Sequence, residues 1–389
     1  MAAGRALVLP MPEQERSKPA WAAPVRPSPF PAMHFGCNTT GPESAGQLRN
    51  LSRYQMPIFE FRQQCCGITA PWNDTEATLS AQATALAATS PGARSWVYRN
   101  AEMGSMFALQ RPFMDNPAND YLFLGPARID PKYNVSWRTL NFSVKAAADW
   151  YVDVMVAEAA AEGPAVAGVF FDGVDGDVCA STSPDAGRLF NDTVAVFRRA
   201  CERLKAAGKG CILSMINSFV SAQEANVTHC PLPEDAVVQL MGTTPWMRYY
   251  QHWLNGFIGR PATVYSAQRC AAMTANAIKE GNAGIPMVAR APADTSVYAV
   301  DLRLSLAAFL IGAAPGSTYG YGSCWFDQCW AWQRIYDELG TIGQPLGPAA
   351  VSANGMLFSR SWEGVNVELD CEHATASFRL RHGDAIVDL

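Results

Sequence analysis

Residues 166–177 read VAGVFFDGVDGD, an apolar run that stops at a carboxylate and continues as a glycine-punctuated acidic segment. Val166, Val169, Phe170 and Phe171 supply β-branched and aromatic bulk without alternation, which suits a strand covered on both faces. Such strands belong to parallel α/β sheets, where the chemistry sits beyond their carboxyl ends. Asp172 is therefore the first catalytic candidate, with Asp175 in the loop that follows. The competing reading is a turn or capping aspartate before glycine, the usual role of a DG pair.

The pattern repeats on either side: a short apolar run, a polar or aromatic loop, then an alanine-rich helical stretch. Strands are expected at 33–37, 57–61, 95–99, 166–171, 211–216, 236–241, 286–289 and 317–321. Helices are expected at 75–88, 143–161 and 186–207, with Ser143 placed to cap the second and Gly208 to end the third. Eight strands with helical crossovers predict an α/β fold, a closed (β/α)8 TIM barrel over residues 32–346. Residues 1–31, rich in proline and charge, are expected to be an extended lead-in. From 347 to 389 the runs Val365, Val367, Leu369 and Ala376, Phe378, Leu380 alternate, so a small antiparallel β domain should close the chain.

Composition narrows the function. With 49% hydrophobic and 17% charged residues the chain is a globular protein, not a disordered or membrane one. A net charge of -5 and the lack of any basic run speak against a nucleic-acid surface. Eleven cysteines have no zinc-type spacing, so disulfides are expected, with Cys324 and Cys329 the pair best placed to bridge. Seven Asn-X-Ser/Thr sequons begin at Asn38, Asn50, Asn73, Asn134, Asn141, Asn191 and Asn226, where chance would give about two. Both features predict a secreted or lumenal glycoprotein, although the run 6–10 is a poor signal peptide.

In a parallel barrel the strand ends converge on one opening, so residues far apart in sequence meet there. The expected substrate-binding set is Glu60, Arg99, Asn100, Asn217, Trp246, Tyr249, Arg290 and Asp294, with Glu224 joining Asp172 and Asp175 as a catalytic carboxylate. Acids move protons, amides and guanidinium groups bind hydroxyls, and aromatic faces receive sugar rings. Each has a plainer reading: Glu60 and Arg62 as a strand-end ion pair, and Tyr249, Tyr250 and Trp253 as packing. No GxSxG, HExxH, Walker A or GxGxxG motif occurs, so neither a metal site nor a cofactor is expected.

The run 140–177, LNFSVKAAADWYVDVMVAEAAAEGPAVAGVFFDGVDGD, resembles the helix and fourth strand of TIM-barrel glycoside hydrolases. Residues 346–370, LGPAAVSANGMLFSRSWEGVNVELD, are similar to the accessory β region of the same proteins. The resemblance covers residues 32–389. It implies carbohydrate hydrolysis on an oligosaccharide or polysaccharide, and it matches Asp172 to the strand-four carboxylate. Relatives commonly carry an acid at strand six, where this chain reads VVQLMG, so the second carboxylate falls to Glu224, with Asp175, Asp294 and Glu60 in reserve. The alternative is an inactive carbohydrate-binding protein on the same fold.

Overall fold

A computed structural model of the chain describes residues 30–38, 41–61, 75–91, 93–130, 135–174, 185–214, 246–250, 253–254, 265–292, 301–322, 330–382 and 385–388. The first half of the barrel runs β1 (Met33–Gly36), α1 (Ala45–Leu51), β2 (Met56–Phe59), α2 (Thr75–Thr89) and β3 (Ser95–Asn100). An excursion follows, with β4 (Glu102–Gly104), α3 (Gln110–Met114), β5 (Arg128–Asp130) and β6 (Val135–Thr139). The chain returns through α4 (Lys145–Trp150), a π-helical turn (Tyr151–Val156) and α5 (Ala157–Ala161) to β7 (Val166–Asp172). Next come α6 (Ala186–Ala206), β8 (Gly210–Ser214), β9 (Trp246–Tyr250), α7 (Ala267–Asn282), β10 (Met287–Pro292), α8 (Leu302–Gly312), β11 (Thr318–Gly322) and α9 (Arg334–Leu339).

Eight of these strands form one parallel sheet in the order β1-β2-β3-β7-β8-β9-β10-β11. A parallel bridge between Ala32 and Tyr319 joins the last strand to the first, and Tyr319 N donates to Pro31 O at 3.0 Å. The sheet is thus a closed barrel, as the strand count predicts. Every residue of β1, β2, β3 and β8 is buried, which is why β1, β2 and β8 read as largely apolar runs rather than alternating ones, while β3 buries Arg99 and Asn100 as well. Gly168 in β7 makes room for the Trp96 indole: a Cβ there would lie 2.3 Å from the ring.

The expected strand positions are met within about two residues except at the sixth. The sixth barrel strand is Trp246–Tyr250, paired with β8 and β10, and residues 236–241 lie outside the described residues. The helix at 143–161 forms, broken by its π turn, but Val144 holds its cap position and the Ser143 hydroxyl donates to Asp192 instead. α6 ends as expected. Gly208, at φ +74, lets its N–H reach Lys205 O and the Lys209 N–H reach Leu204 O, so the last carbonyls are satisfied.

A second sheet of five antiparallel strands closes the chain: β12 (Ala350–Val351), β13 (Leu357–Ser361), β14 (Val365–Asp370), β15 (Thr375–His382) and β16 (Ala385–Asp388). Its buried face, with Phe358, Val365, Val367, Leu369, Phe378 and Leu380, shares one apolar cluster with Phe309, Leu310 and Ile311 of α8. Polar contacts fix the register of the two. Arg360 Nη1 donates to the carbonyls of Ile311 and Ala313 at 2.9 and 2.7 Å, and Trp362 Nε1 donates to Leu310 O at 3.0 Å. These satisfy carbonyls that the end of α8 would otherwise leave orphaned.

A disulfide between Cys270 of α7 and Cys371 ties this sheet to the barrel across 101 residues, and a second joins Cys201 of α6 to Cys211 of β8. The Cys324–Cys329 pairing falls outside the described residues. Replacing Cys270 and Cys371 by serine should lower stability by about 2–4 kcal/mol, because the cross-link restricts a long loop in the unfolded chain. Urea unfolding checks this, and an unchanged midpoint would show that the packing on α8 suffices alone.

Candidate active site

Strand alternation decides which side chains enter the barrel. In β7, Gly168, Phe170 and Asp172 face one way, and the register sets Tyr98 beside Phe170 and Asn100 beside Asp172. Phe170 meets Phe35, Tyr98 and Tyr249 at ring-centroid distances of 4.9, 5.7 and 4.8 Å. These four aromatic rings from β1, β3, β7 and β9 fill the barrel interior. Asp172 stands one inward position further along β7, half-buried at the C-terminal mouth.

Its carboxylate is held from two sides. Tyr98 Oη donates to Oδ2 at 2.9 Å, and the Gly173 N–H donates to Oδ1 at 2.9 Å. Asn100 Nδ2 in turn donates to Tyr98 Oη at 2.9 Å, while Asn100 Oδ1 accepts from the Glu102 N–H at 2.9 Å. The result is a relay from the Asn100 amide through the Tyr98 hydroxyl to the carboxylate. Gly173 is required here for a concrete reason. At φ +66 its N–H turns back onto Asp172, and a Cβ would lie 2.9 Å from Asn100 Oδ1. The turn reading of the DG pair is realised, and the same geometry leaves the carboxylate at the barrel mouth.

Across the barrel, Tyr249 of β9 aligns with Ser214 of β8, and Arg290 of β10 follows one inward position above Val288, the residue level with Tyr249. The hydroxyls of Ser214 and Tyr249 are buried and make no hydrogen bond among the described residues. Burial pushes the Tyr249 phenol well above its ordinary pKa; the nearby Arg290 guanidinium opposes this and the Asp172 carboxylate adds to it. Tyr249 is accordingly a neutral donor at physiological pH. Arg290 lies close enough to Tyr249 to interact with it, although the tyrosine oxygen falls short of a well-formed hydrogen bond. Burial pulls the Arg290 pKa down from the ordinary guanidinium value. A buried phenol beside a buried guanidinium offers donors that suit the binding of a polyol. Tyr249→Phe should reduce turnover about 10- to 100-fold by removing one donor, with little change in melting temperature; equal turnover would remove Tyr249 from the site.

Several expected site residues belong elsewhere. Arg99 faces outward, as its position between Tyr98 and Asn100 requires, and is fully buried against the helices. Its Nη2 pairs with Glu158 at 3.0 Å and Glu162 at 2.5 Å. Burial alone would depress its pKa, but the two carboxylates more than reverse that. Arg99 is a structural cation. Trp246 begins β9, level with Cys211 near the start of β8, so its backbone lies at the barrel end away from the mouth. Tyr250 and Trp253 pack outside, Tyr250 on Glu280 at 2.6 Å and Trp253 on Ser305 O at 2.8 Å. Glu60 follows β2 and is buried at the mouth end of the barrel. Asp175, Asn217, Glu224 and Asp294 lie outside the described residues.

Tyr98 and Ser214 are members the sequence reading missed. Period-two alternation back from Asp172 across the sheet would have pointed to Tyr98, since the residue two before Asn100 shares its face. His34, buried beside Tyr54 and Trp330, has its pKa pushed down to about 3 by burial and stays neutral.

No family model matches the chain, and no curated protein does. Among solved structures it is similar to Aspergillus fumigatus Ega3 in complex with galactosamine, at 12% identity and a TM-score of 0.41, over 77% of this chain and 91% of that one. It is also similar to a GH31 family sulfoquinovosidase from E. rectale, at 10% identity and a TM-score of 0.49, over 82% of this chain and 45% of that one. The cyclic alpha-maltosyl-(1-->6)-maltose hydrolase from Arthrobacter globiformis matches at 12% identity and a TM-score of 0.42, over 94% of this chain and 92% of that one.

Proposed function

We propose that the chain is a glycoside hydrolase acting on an oligosaccharide or polysaccharide through a pair of carboxylates. The observation that carries this reading is the placement of Asp172: at the C-terminal mouth of a closed parallel barrel, oriented by Tyr98 and Gly173, with the Tyr249 phenol and the Arg290 cation nearby. A carboxylate fixed by two donors at the opening of the barrel suits a nucleophile or a general base at a sugar C1. In this role Asp172 either attacks the anomeric carbon or takes a proton from the attacking water. A second carboxyl group protonates the departing glycosidic oxygen. Glu224 is the proposed acid, with Asp175, Asp294 and Glu60 as alternates. Buried Glu60 is the one of these that lies within the described residues.

The two mechanisms differ in carboxyl separation, about 5–5.5 Å for retention and about 6.5–9.5 Å for inversion. Product configuration discriminates them. Proton NMR of the first sugar released from an aryl glycoside panel and from polysaccharides reads it directly, and no hydrolysis of any of them would overturn the proposal. One observation favours the alternative of a non-catalytic sugar-binding protein. β9, read as Trp246–Tyr250, carries no carboxylate where the resemblance calls for one. That alternative predicts saturable sugar binding with no turnover.

The compartment proposed is secreted or lumenal. The disulfides Cys201–Cys211 and Cys270–Cys371 and the exposed sequon asparagines Asn50 and Asn191 support it.

A further inference from the structure

The excursion between β3 and α4 builds a cavity that the barrel site does not use. β4, β6 and β5 form a three-stranded antiparallel sheet in that order, and its two faces do different things. Trp137 of β6 points toward the barrel, where it meets Phe61 edge-on at 5.7 Å, and Phe61 in turn packs on Tyr98 at 5.0 Å. Ser136 and Arg138, on the opposite face of the same strand, line a cavity of about 470 Å3 with Met114, Asp115, Asp120, Phe123 and the 125–127 turn. The volume is within the range of small-ligand sites, roughly 300–1,000 Å3.

The lining is organised before any ligand arrives. Arg138 lies over the Phe123 ring at 3.8 Å, and its Nη1 donates to Asp120 Oδ1 at 2.8 Å and to Met114 O at 3.3 Å. Its Nε is buried without a hydrogen-bond partner. An orphaned buried N–H is costly. Asp120 pairs with this guanidinium and Asp115 also lines the cavity, so two carboxylates against one cation give a formal charge of -1 that disfavours an anionic ligand. Donors and acceptors interleave with the apolar surfaces of Met114, Phe123 and Pro126. That combination matches a neutral sugar residue, whose hydroxyls both donate and accept and whose ring carries C–H faces.

We propose that this cavity is an accessory binding site for a neutral sugar unit of the polymer whose hydrolysis is assigned to the barrel, placed on the far face of the sheet that walls the mouth. The proposal rests on the glycosidase reading for its choice of ligand class, and its test separates the two. Gly125 lines the cavity and a Cβ there would meet nothing within 4 Å, so Gly125→Trp places bulk at the cavity wall with no backbone clash. Asp115→Ala removes an exposed carboxylate whose own structural contact is through its backbone N–H.

Calorimetric titration of the whole protein with maltohexaose, cellohexaose and chitohexaose, with hexagalacturonate as the anionic control, reads binding without requiring turnover. To keep the barrel from consuming the probe, the titrations are run in the Asp172→Asn background. At least one neutral hexasaccharide should bind, and Gly125→Trp and Asp115→Ala should each weaken it tenfold or more while Gly125→Ala does not. In the Asp172-containing protein, Gly125→Trp should raise KM on the long substrate and leave kcat on a small aryl glycoside unchanged. Unaltered affinity in Gly125→Trp with a native circular dichroism spectrum, binding of the uronate alone, or no binding at all would overturn the accessory site. Loss of the glycosidase reading shows separately, as absent turnover in the protein that retains Asp172.

Discussion

Asp172→Asn should lower the proposed glycosidase turnover by about 10²- to 10⁴-fold or more while the protein stays folded. The amide keeps the volume of the carboxyl group, and its oxygen can still accept the Gly173 N–H that now bonds Oδ1. The other side is less forgiving. The Tyr98 hydroxyl now donates to Oδ2 and accepts from Asn100 Nδ2, so an Asp172 amide nitrogen would bring a second donor against it. One mismatched hydrogen bond costs about 1 kcal/mol, small for a barrel of this size. What disappears is the negative charge that would stabilise a cationic transition state or attack the anomeric carbon. Turnover and melting temperature measured on one preparation separate the roles: a turn residue would change stability and spare turnover. Tyr98→Phe supplies a graded control, because it keeps the charge and removes one of its two orienting donors. Its turnover should fall less than that of Asp172→Asn. A nearly wild-type rate in Asp172→Asn would end the assignment.

How far the sequence could be read depended on which face of a strand a residue occupies. Strands such as β1, β2, β7 and β8 were found in place because each is a mostly apolar run, which is what burial on both faces imposes. The sixth strand broke the rule. Its residues, WMRYY, carry an arginine in the middle, whereas AVVQLM a few residues earlier looks far more like a buried strand. The charge is tolerated because Arg248 faces outward and meets Glu280 on the covering helix at 2.7 Å, a long-range pairing with no local signature. Arg99 misled for the same reason. Its place at a strand end suggested the mouth, but Asn100 and Tyr98 take the inward positions, and Glu158 and Glu162 arrive from a helix about sixty residues on. The place of Asp172 at the end of β7 was legible because two local signals coincide there: the abrupt end of an apolar strand and a glycine that frees its backbone to turn. The β4–β6 excursion was not. Its strands are three to five residues long, and their partners are fixed by packing on Phe61 and the barrel rather than by any pattern of their own.

The outward ion pair of β9 leads to the largest stability effect expected in this chain. Glu280→Ala should destabilise the protein by about 3–5 kcal/mol, because it would leave the buried Arg248 charge without this carboxylate. Both side chains are fully buried, and Glu280 Oε2 also accepts the Tyr250 hydroxyl at 2.6 Å, so the substitution takes this acceptor from two donors at once. Arg248 and Tyr250 flank Tyr249 on β9, and their grip on α7 is what turns the Tyr249 phenol inward toward Asp172. The pair therefore sets the orientation of a site residue from outside the barrel. Glu280→Gln, which keeps both acceptor geometry and volume, should lose less. Replacing the group together, with Arg248→Met, Tyr250→Phe and Glu280→Leu, should recover most of the loss, since apolar side chains of similar volume leave no buried charge to satisfy. Urea unfolding of the four proteins gives the comparison, with equal slopes required before midpoints are converted to free energies. If Glu280→Ala changes stability by less than about 1 kcal/mol, the surface-pair range, then water reaches the pair in solution and β9 is not anchored to α7 by a buried charge.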